Sequence, residues 1–173
     1  MEEKIFTMRY SSPCGELLLG SFADKLCLCN WTTEKHPGRI GKRLKTTLHA
    51  EYEEAPTDIT IEAARQLDEY FNNGRRTFDI PLLTVGTSFQ KEVWQQLLAI
   101  PYGETVSYGD LSVRIGKAHA VRAVANANGA NAISIFIPCH RIIGSNRSLT
   151  GYGGGLDAKK FLLDLEQAGM EQT

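Results

Sequence analysis

The run Ile133-Ser134-Ile135-Phe136-Ile137-Pro138-Cys139-His140-Arg141-Ile142-Ile143 narrows the folds open to this chain more than any other stretch. An apolar segment that reads as a buried strand meets a proline, which has no N–H to give a ladder and biases the residue before it to extended geometry. The spacing therefore predicts a strand that stops near Ile137 and a turn at Cys139-His140. Inside a regular strand, successive side chains point to opposite faces, so a cysteine and the next histidine could not serve one site. The turn removes that bar and puts the thiol where backbone donors and a neighbouring helix can reach it. The same residues also suit an inert buried sulfur, the common fate of a free cysteine among apolar neighbours.

Upstream, Lys4–Tyr10, Gly15–Phe22 and Lys25–Trp31 alternate or run apolar as strands, with turns at Ser11-Ser12-Pro13 and Ala23-Asp24. A three-strand meander is expected. Cys27 and Cys29 would share one face of the third strand, but no second Cys or His pair follows at metal-site spacing, so a core face is expected. Residues 33–58 are polar and read as a surface connection with no assigned structure. A helix follows, with Ala63, Ala64, Leu67, Tyr70 and Phe71 on one face and Asn73-Gly74 as its stop. Pro81 to Gly86 reads as the boundary between two halves.

Beyond that boundary the apolar period becomes helical. Thr87-Ser88-Phe89-Gln90 has capping-box spacing, and Phe89, Val93, Trp94, Leu97 and Leu98 line one face before Pro101. A short helix is expected from Ser107 to Ile115, ended by Gly116, and another from about Ala118 to Asn128, ended by Gly129. Two helices joined by a tight glycine turn outline a helix-turn-helix. In the second, Val121, Val124 and Ala125 are expected inward, leaving His119, Arg122, Ala123 and Asn126 outward. Small side chains let a helix approach a ligand surface closely, and a lone arginine there could enter a groove, although a solvated arginine on a good helix former fits equally. In the last helix, about Leu156 to Ala168, Glu166 falls among Ala158, Phe161, Leu162, Leu163 and Leu165. A carboxylate among core positions needs a partner inside the fold. Gly151-Tyr152-Gly153-Gly154-Gly155 before it is a loop able to wrap a pocket.

Charge and cysteine usage bound the function classes. The net charge is −1, which alone argues against a nucleic-acid binder. Its distribution does not, since residues 85–151 carry six basic side chains against three acidic ones, while the rest of the chain is net −4. Four cysteines (Cys14, Cys27, Cys29, Cys139) are too few and too unevenly spaced for a disulfide framework, which fits a reducing compartment. No run approaches the length needed to span a bilayer, and Met1-Glu2-Glu3-Lys4 leads into no apolar signal core, so a cytoplasmic location is expected.

As a set, the residues resemble one family closely. They are Phe89-Gln90, Val93-Trp94, Ile100-Pro101-Tyr102-Gly103, Ser107-Tyr108, Val121-Arg122-Ala123-Val124, Asn128, Asn131, Ile137 through Ser145, Gly151-Tyr152, Gly154-Gly155-Leu156, Lys159, Leu162-Leu163 and Glu166. The resemblance, over roughly residues 87–167, is to the methylated-DNA–protein-cysteine methyltransferases (6-O-alkylguanine-DNA alkyltransferases), which repair alkylated guanine in DNA. It implies an α/β (α+β) fold: a small ribonuclease-H-like α/β domain over residues 1–84, and a mainly helical, winged-helix-like helix-turn-helix domain over residues 85–173 that carries the cysteine.

The same resemblance implies roles. Cys139 is the alkyl acceptor, activated through water by His140, which Glu166 orients. Tyr108 donates to the guanine as it leaves and crowds the phosphate during rotation. Arg122 fills the stack after the base is flipped out, with Ala123 beside it, and Asn131 ties the recognition helix to the active-site turn. Tyr152 and Gly153 wall the pocket, backbone groups around Cys139 and Ile142 read the base edge, and Arg141 supports the site. Gln90 and Ser145 are candidate phosphate contacts. The implied substrates are 6-O-methylguanine and 4-O-methylthymine in double-stranded DNA, bound through the minor groove by a monomer. No cofactor, metal or membrane is implied, and the zinc ligands that some members carry are not matched. A methyl thioether has no good leaving group, so each molecule reacts once. Two other classes compete: a non-reacting alkyl-lesion-binding protein, which would lack the cysteine, and a thiol hydrolase, which would turn over.

Overall fold

The computed structural model describes residues 3–34, 36–144, 146 and 149–171. Strands β1 (Glu3–Ser12), β2 (Gly15–Phe22) and β3 (Lys25–Trp31) form the expected antiparallel meander. Ala23 and Asp24 both have positive φ, the twist a two-residue hairpin turn requires. β1 runs through Ser12, so its turn falls later than expected, at Pro13-Cys14. Alternation shows in β1, where Ile5 and Thr7 are buried, while β3 is buried almost throughout and places Cys27 and Cys29 in the core.

Residues 33–58 are not a bare connection. They hold α1 (Arg39–Leu48) and β4 (Ala50–Glu54), and β4 pairs parallel with β1 to give the sheet order β3-β2-β1-β4. Helix α2 (Asp58–Phe71) starts from a capping box made by Thr57 and Thr60 and packs Ala63, Leu67 and Tyr70 inward over β1, β2 and β3. It stops at Asn73-Gly74, with Asn73 at φ 61.

The chain then runs beside β3, where the Leu26 N–H donates to Pro81 O and the Leu83 N–H to Leu26 O, each at 2.9 Å. Past it come α3 (Ser88–Leu98), β5 (Val106–Ser107), α4 (Tyr108–Arg114), α5 (Val121–Gly129), β6 (Ile142–Ile143) and α6 (Leu156–Glu171), with β5 and β6 paired in parallel. Thr87 and Gln90 close the capping box of α3, and Ser107 caps α4. Gly116, at φ 71, turns the chain from α4 into α5, and α3, α4 and α5 pack together. The architecture is mixed α/β, with a small sheet and six α-helices among the described residues. One continuous apolar core joins sheet and helices, from Ile5 and Leu19 through Leu97 and Val124 to Leu162. None of the described helices is long and apolar enough to cross a membrane.

The strand expected over Ile133–Ile137 is absent. Only its start pairs with β3, the Cys29 N–H donating to Ala132 O and the Ser134 N–H to Cys29 O, both at 2.8 Å. The backbone then folds back on itself, with the Ile137 N–H donating to Ile133 O at 3.0 Å and Ile135 at φ 74. An unbroken apolar run reports full burial, which a buried loop satisfies as well as a strand does. A β-branched residue at positive φ costs on the order of 1–3 kcal/mol and is held here by burial of the whole segment.

Candidate active site and nucleic-acid face

Pro138 ends that loop, and Cys139–Arg141 form a single 3-10 turn leading into β6. Cys139 is 6% exposed and lies in the wall of a cavity of about 960 Å³. From the helical half, Tyr108, Ala123, Asn131, Tyr152 and Gly153 line it; from the sheet half come Asn30, Arg39 and Arg43. Burial pushes the Cys139 thiol above its ordinary value, while hydrogen bonding from Asn131 and Ser134 and the nearby charge of Lys159 pull the other way. At rest it is therefore a thiol, and attack requires that its proton leave.

The group able to take that proton is the adjacent one. His140 is fully buried; its Nε2 faces Glu166 Oε2 at 2.7 Å, and its Nδ1 has no hydrogen-bond partner among the described residues. Burial lowers the imidazole pKa, and contact with Glu166 only partly offsets this. A neutral ring that donates Nε2–H to the carboxylate presents Nδ1 as a lone pair, the acceptor a general base needs. Glu166, 1% exposed, also accepts from Tyr70 Oη at 2.7 Å, from the Gly103 N–H at 3.1 Å, and from Arg141 Nε and Nη2 at 2.9 and 3.0 Å. Burial alone would raise its pKa, but the hydrogen bonds and charges of His140 and Arg141 prevail and hold it well below the usual carboxylate range. Arg141 also donates to Ile100 O at 2.7 Å, so it clamps the carboxylate rather than lining the cavity.

Asn131 braces the loop from its start, with Nδ2 donating to Ile137 O at 2.8 Å and Oδ1 accepting from the Ile133 N–H at 3.0 Å. The Ile142 N–H donates to Cys139 O and closes the 3-10 turn, so base reading there would fall to carbonyls. On α5, Arg122 and Ala123 are exposed while Val124, Ala127 and Asn128 are buried. Val121, expected inward, is 39% exposed, because the helix begins only at that residue and its inward arc is set by Val124, Ala127 and Asn128. Gln90 lines the cavity, but its Oε1 accepts from the Thr87 N–H at 2.9 Å, so the capping box holds its carbonyl and leaves only its amide NH₂ to reach outward. Ser145 lies outside the described residues.

Three residues at the site were assigned no role from the sequence. Tyr70 reads as one more apolar-face residue of α2, yet its hydroxyl reaches Glu166. Lys159 is fully buried, donates to Thr150 O at 2.7 Å, and stands 6.0 Å from the Tyr108 ring centre, with no carboxylate paired to it among the described residues. Burial lowers its pKa to about 8, with Cys139 opposing. Its spacing to Leu162 and Glu166 puts it on the inward face of α6, a signal that was available. Arg43, from α1, lies over the Trp94 ring at 5.6 Å and donates to Ala130 O at 2.8 Å, beside the end of α5.

Comparison with known proteins places the chain in a family. A family model described as the DNA binding domain of 6-O-methylguanine DNA methyltransferase matches residues 88–168. The chain is 41% identical over 162 residues, 90% of its length and 92% of the relative's, to the constitutive methylated-DNA–protein-cysteine methyltransferase of Bacillus subtilis. It is 57% identical over 106 residues, 61% of its length and 67% of the relative's, to the corresponding protein of Methanosarcina barkeri. A crystal structure of Mycobacterium tuberculosis OGT in complex with DNA superposes with a TM-score of 0.80 at 38% identity, over 96% of this chain and 94% of that one. With a buried cysteine, a histidine and a clamped glutamate inside a match of that extent, the chain belongs to the methylated-DNA–protein-cysteine methyltransferase family.

Proposed function

We propose that Cys139 takes the alkyl group of 6-O-methylguanine, and of 4-O-methylthymine, from double-stranded DNA, once per protein molecule. The carrying observation is the open Nδ1 of a buried, neutral His140 one residue from a thiol in a cavity wall. In the reaction Cys139 Sγ–H yields its proton through a water to His140 Nδ1, and the sulfur attacks the methyl carbon. The S–C bond forms as the C–O6 bond breaks, and the electron pair remains on the base, which is then protonated. Glu166 stabilises the imidazolium so formed, and Tyr108 donates to the departing base. Lys159 keeps a positive charge close to the anion as it moves from sulfur to base.

The substituent at position 6 lies at the major-groove edge of a stacked pair, so the nucleotide must leave the duplex to meet a thiol recessed in a cavity. The exposed Arg122 and Ala123 on α5 suit minor-groove docking, with the arginine taking the vacated place in the stack, as backbone-dominated binding by a small-faced helix requires. Residues 85–173 then act as the winged-helix-like DNA-binding and alkyl-acceptor unit, and residues 1–84 as a ribonuclease-H-like scaffold behind it, in a cytoplasmic monomer that needs no cofactor.

The test is incubation with a duplex carrying 6-O-methylguanine, followed by peptide mass analysis. A gain of one methyl on the Cys139 peptide, at one equivalent per protein and absent in Cys139→Ala, is expected. An unchanged mass with retained binding would favour a lesion-binding protein instead, and repeated turnover a hydrolase.

A further inference from the structure

Trp31 closes β3 and belongs to the sheet, yet its indole reaches the loop that walls the alkyl pocket. It is 2% exposed and wedged between two glycines: a Cβ added at Gly15 would lie 3.1 Å from the ring, and one at Gly154 only 2.6 Å from Cδ2 and Cε2. Its ring meets Tyr152 edge-on, with centroids 5.8 Å apart and planes at 67°. Tyr152 and Gly153 line the cavity beside Cys139, and Trp31 stands directly behind them. Trp31 Nε1 and Tyr152 Oη are both buried, and the tyrosine hydroxyl lies near the indole N–H and Ser134, although neither atom has a hydrogen-bond partner of good geometry among the described residues. The close packing of the indole on Tyr152, Gly153 and Gly154 sets where this wall stands.

We infer that Trp31 is a positioning residue that fixes the width of the alkyl pocket by holding the Tyr152–Gly154 wall toward Cys139, and so limits the size of the 6-O substituent the protein accepts. The inference rests on the alkyl-transfer reading above. An indole in close contact with the back of a loop resists the retreat of that loop before a bulky group, because a packed contact yields only at a cost. Gly154 is absent from the positive-φ positions, so alanine there is compatible with the backbone, and the nearest atoms its methyl would meet are those of the indole.

Single-turnover rates on duplexes carrying 6-O-methylguanine and 6-O-benzylguanine decide the matter. Trp31→Ala is expected to raise the benzyl-to-methyl rate ratio roughly tenfold, the scale on which pocket size discriminates. Gly154→Ala, which pushes the wall inward, should lower transfer of both groups and of benzyl more, and the double variant should recover what Gly154→Ala loses. Should Trp31→Ala fail to fold, Trp31→Leu alone and with Gly154→Ala carries the same comparison. A ratio unchanged in a folded Trp31 variant, parallel loss of both rates, or a Gly154→Ala defect that persists in the double variant would overturn the inference. Failure of the unaltered protein to take up methyl at Cys139 would instead overturn the reading beneath it.

Discussion

Lys159 and Glu166 lie seven residues apart on the inward face of α6, in opposite electrostatic situations. Glu166 is surrounded by donors, whereas the Lys159 ammonium, equally buried, has a carbonyl and an aromatic face but no paired carboxylate among the described residues. Burial holds its pKa at about 8 against an ordinary 10.5. Because the folded value is the lower, the unfolded chain binds this proton more readily. The destabilisation is complete below pH 8 and fades as the pH rises to 10.5. A shift of that size corresponds to on the order of 3 kcal/mol. Lys159→Met is therefore expected to raise Tm at pH 7, with the gain shrinking toward pH 10.5, while slowing alkyl transfer at least about tenfold, the loss of roughly one charge-assisted contact. Calorimetry at the two pH values with single-turnover kinetics checks both. A gain in Tm that did not shrink at high pH would assign the stabilisation to packing instead of charge.

α6 carries both residues, so its seating against the helical half decides whether they meet their partners. The contact is close at Gly169, where an added Cβ would fall 2.2 Å from Tyr102 Oη. Alanine has the better helix propensity by about 1 kcal/mol, but forcing a methyl into a filled contact costs about 1–3 kcal/mol, so the clash prevails. Gly169→Ala is expected to lower stability in urea unfolding, and Tyr102→Phe, which removes the obstructing oxygen, to restore part of it. No recovery in the double variant would locate the strain elsewhere. This element also marks what sequence can and cannot convey. Glu166 stood out because a carboxylate broke an apolar arc, whereas Tyr70 did not, because a tyrosine on such an arc looks the same whether or not its hydroxyl is used. The capping box of α3 and the stop at Gly116 are local chemistry and were legible. α1 was not, since Gly38 gives it no side-chain cap and Leu44 is its one buried residue, and β4 is an edge strand of mostly charged residues. The loop over Ile133–Ile137 was misread because burial from all sides erases the periodicity that separates strand from loop.

At the scale of the molecule, β3 holds the two halves together. Leu26 bonds to the connection at Pro81 and Leu83, and Cys29 to Ala132 and Ser134 beside the active-site turn, while Arg43 reaches from α1 to Ala130. Breaking these contacts would strip β3 of its outer neighbour and expose the core shared by sheet and helices, so neither half gains by unfolding alone. The chain has two tryptophans, one on each side: Trp31 on β3, and Trp94 on α3, donating to Ala127 O at 2.8 Å. Trp94→Phe leaves fluorescence reporting on the sheet, and Trp31→Phe leaves it reporting on the helices. In each variant the urea midpoint by fluorescence is expected to coincide with that by far-ultraviolet circular dichroism, although the substitutions shift the two variants' stabilities differently. If Trp31 fluorescence changed at a lower urea concentration than the helical signal of the same variant, the sheet would be an independently melting unit, and a wall braced by Trp31 could then open without unfolding the site it encloses.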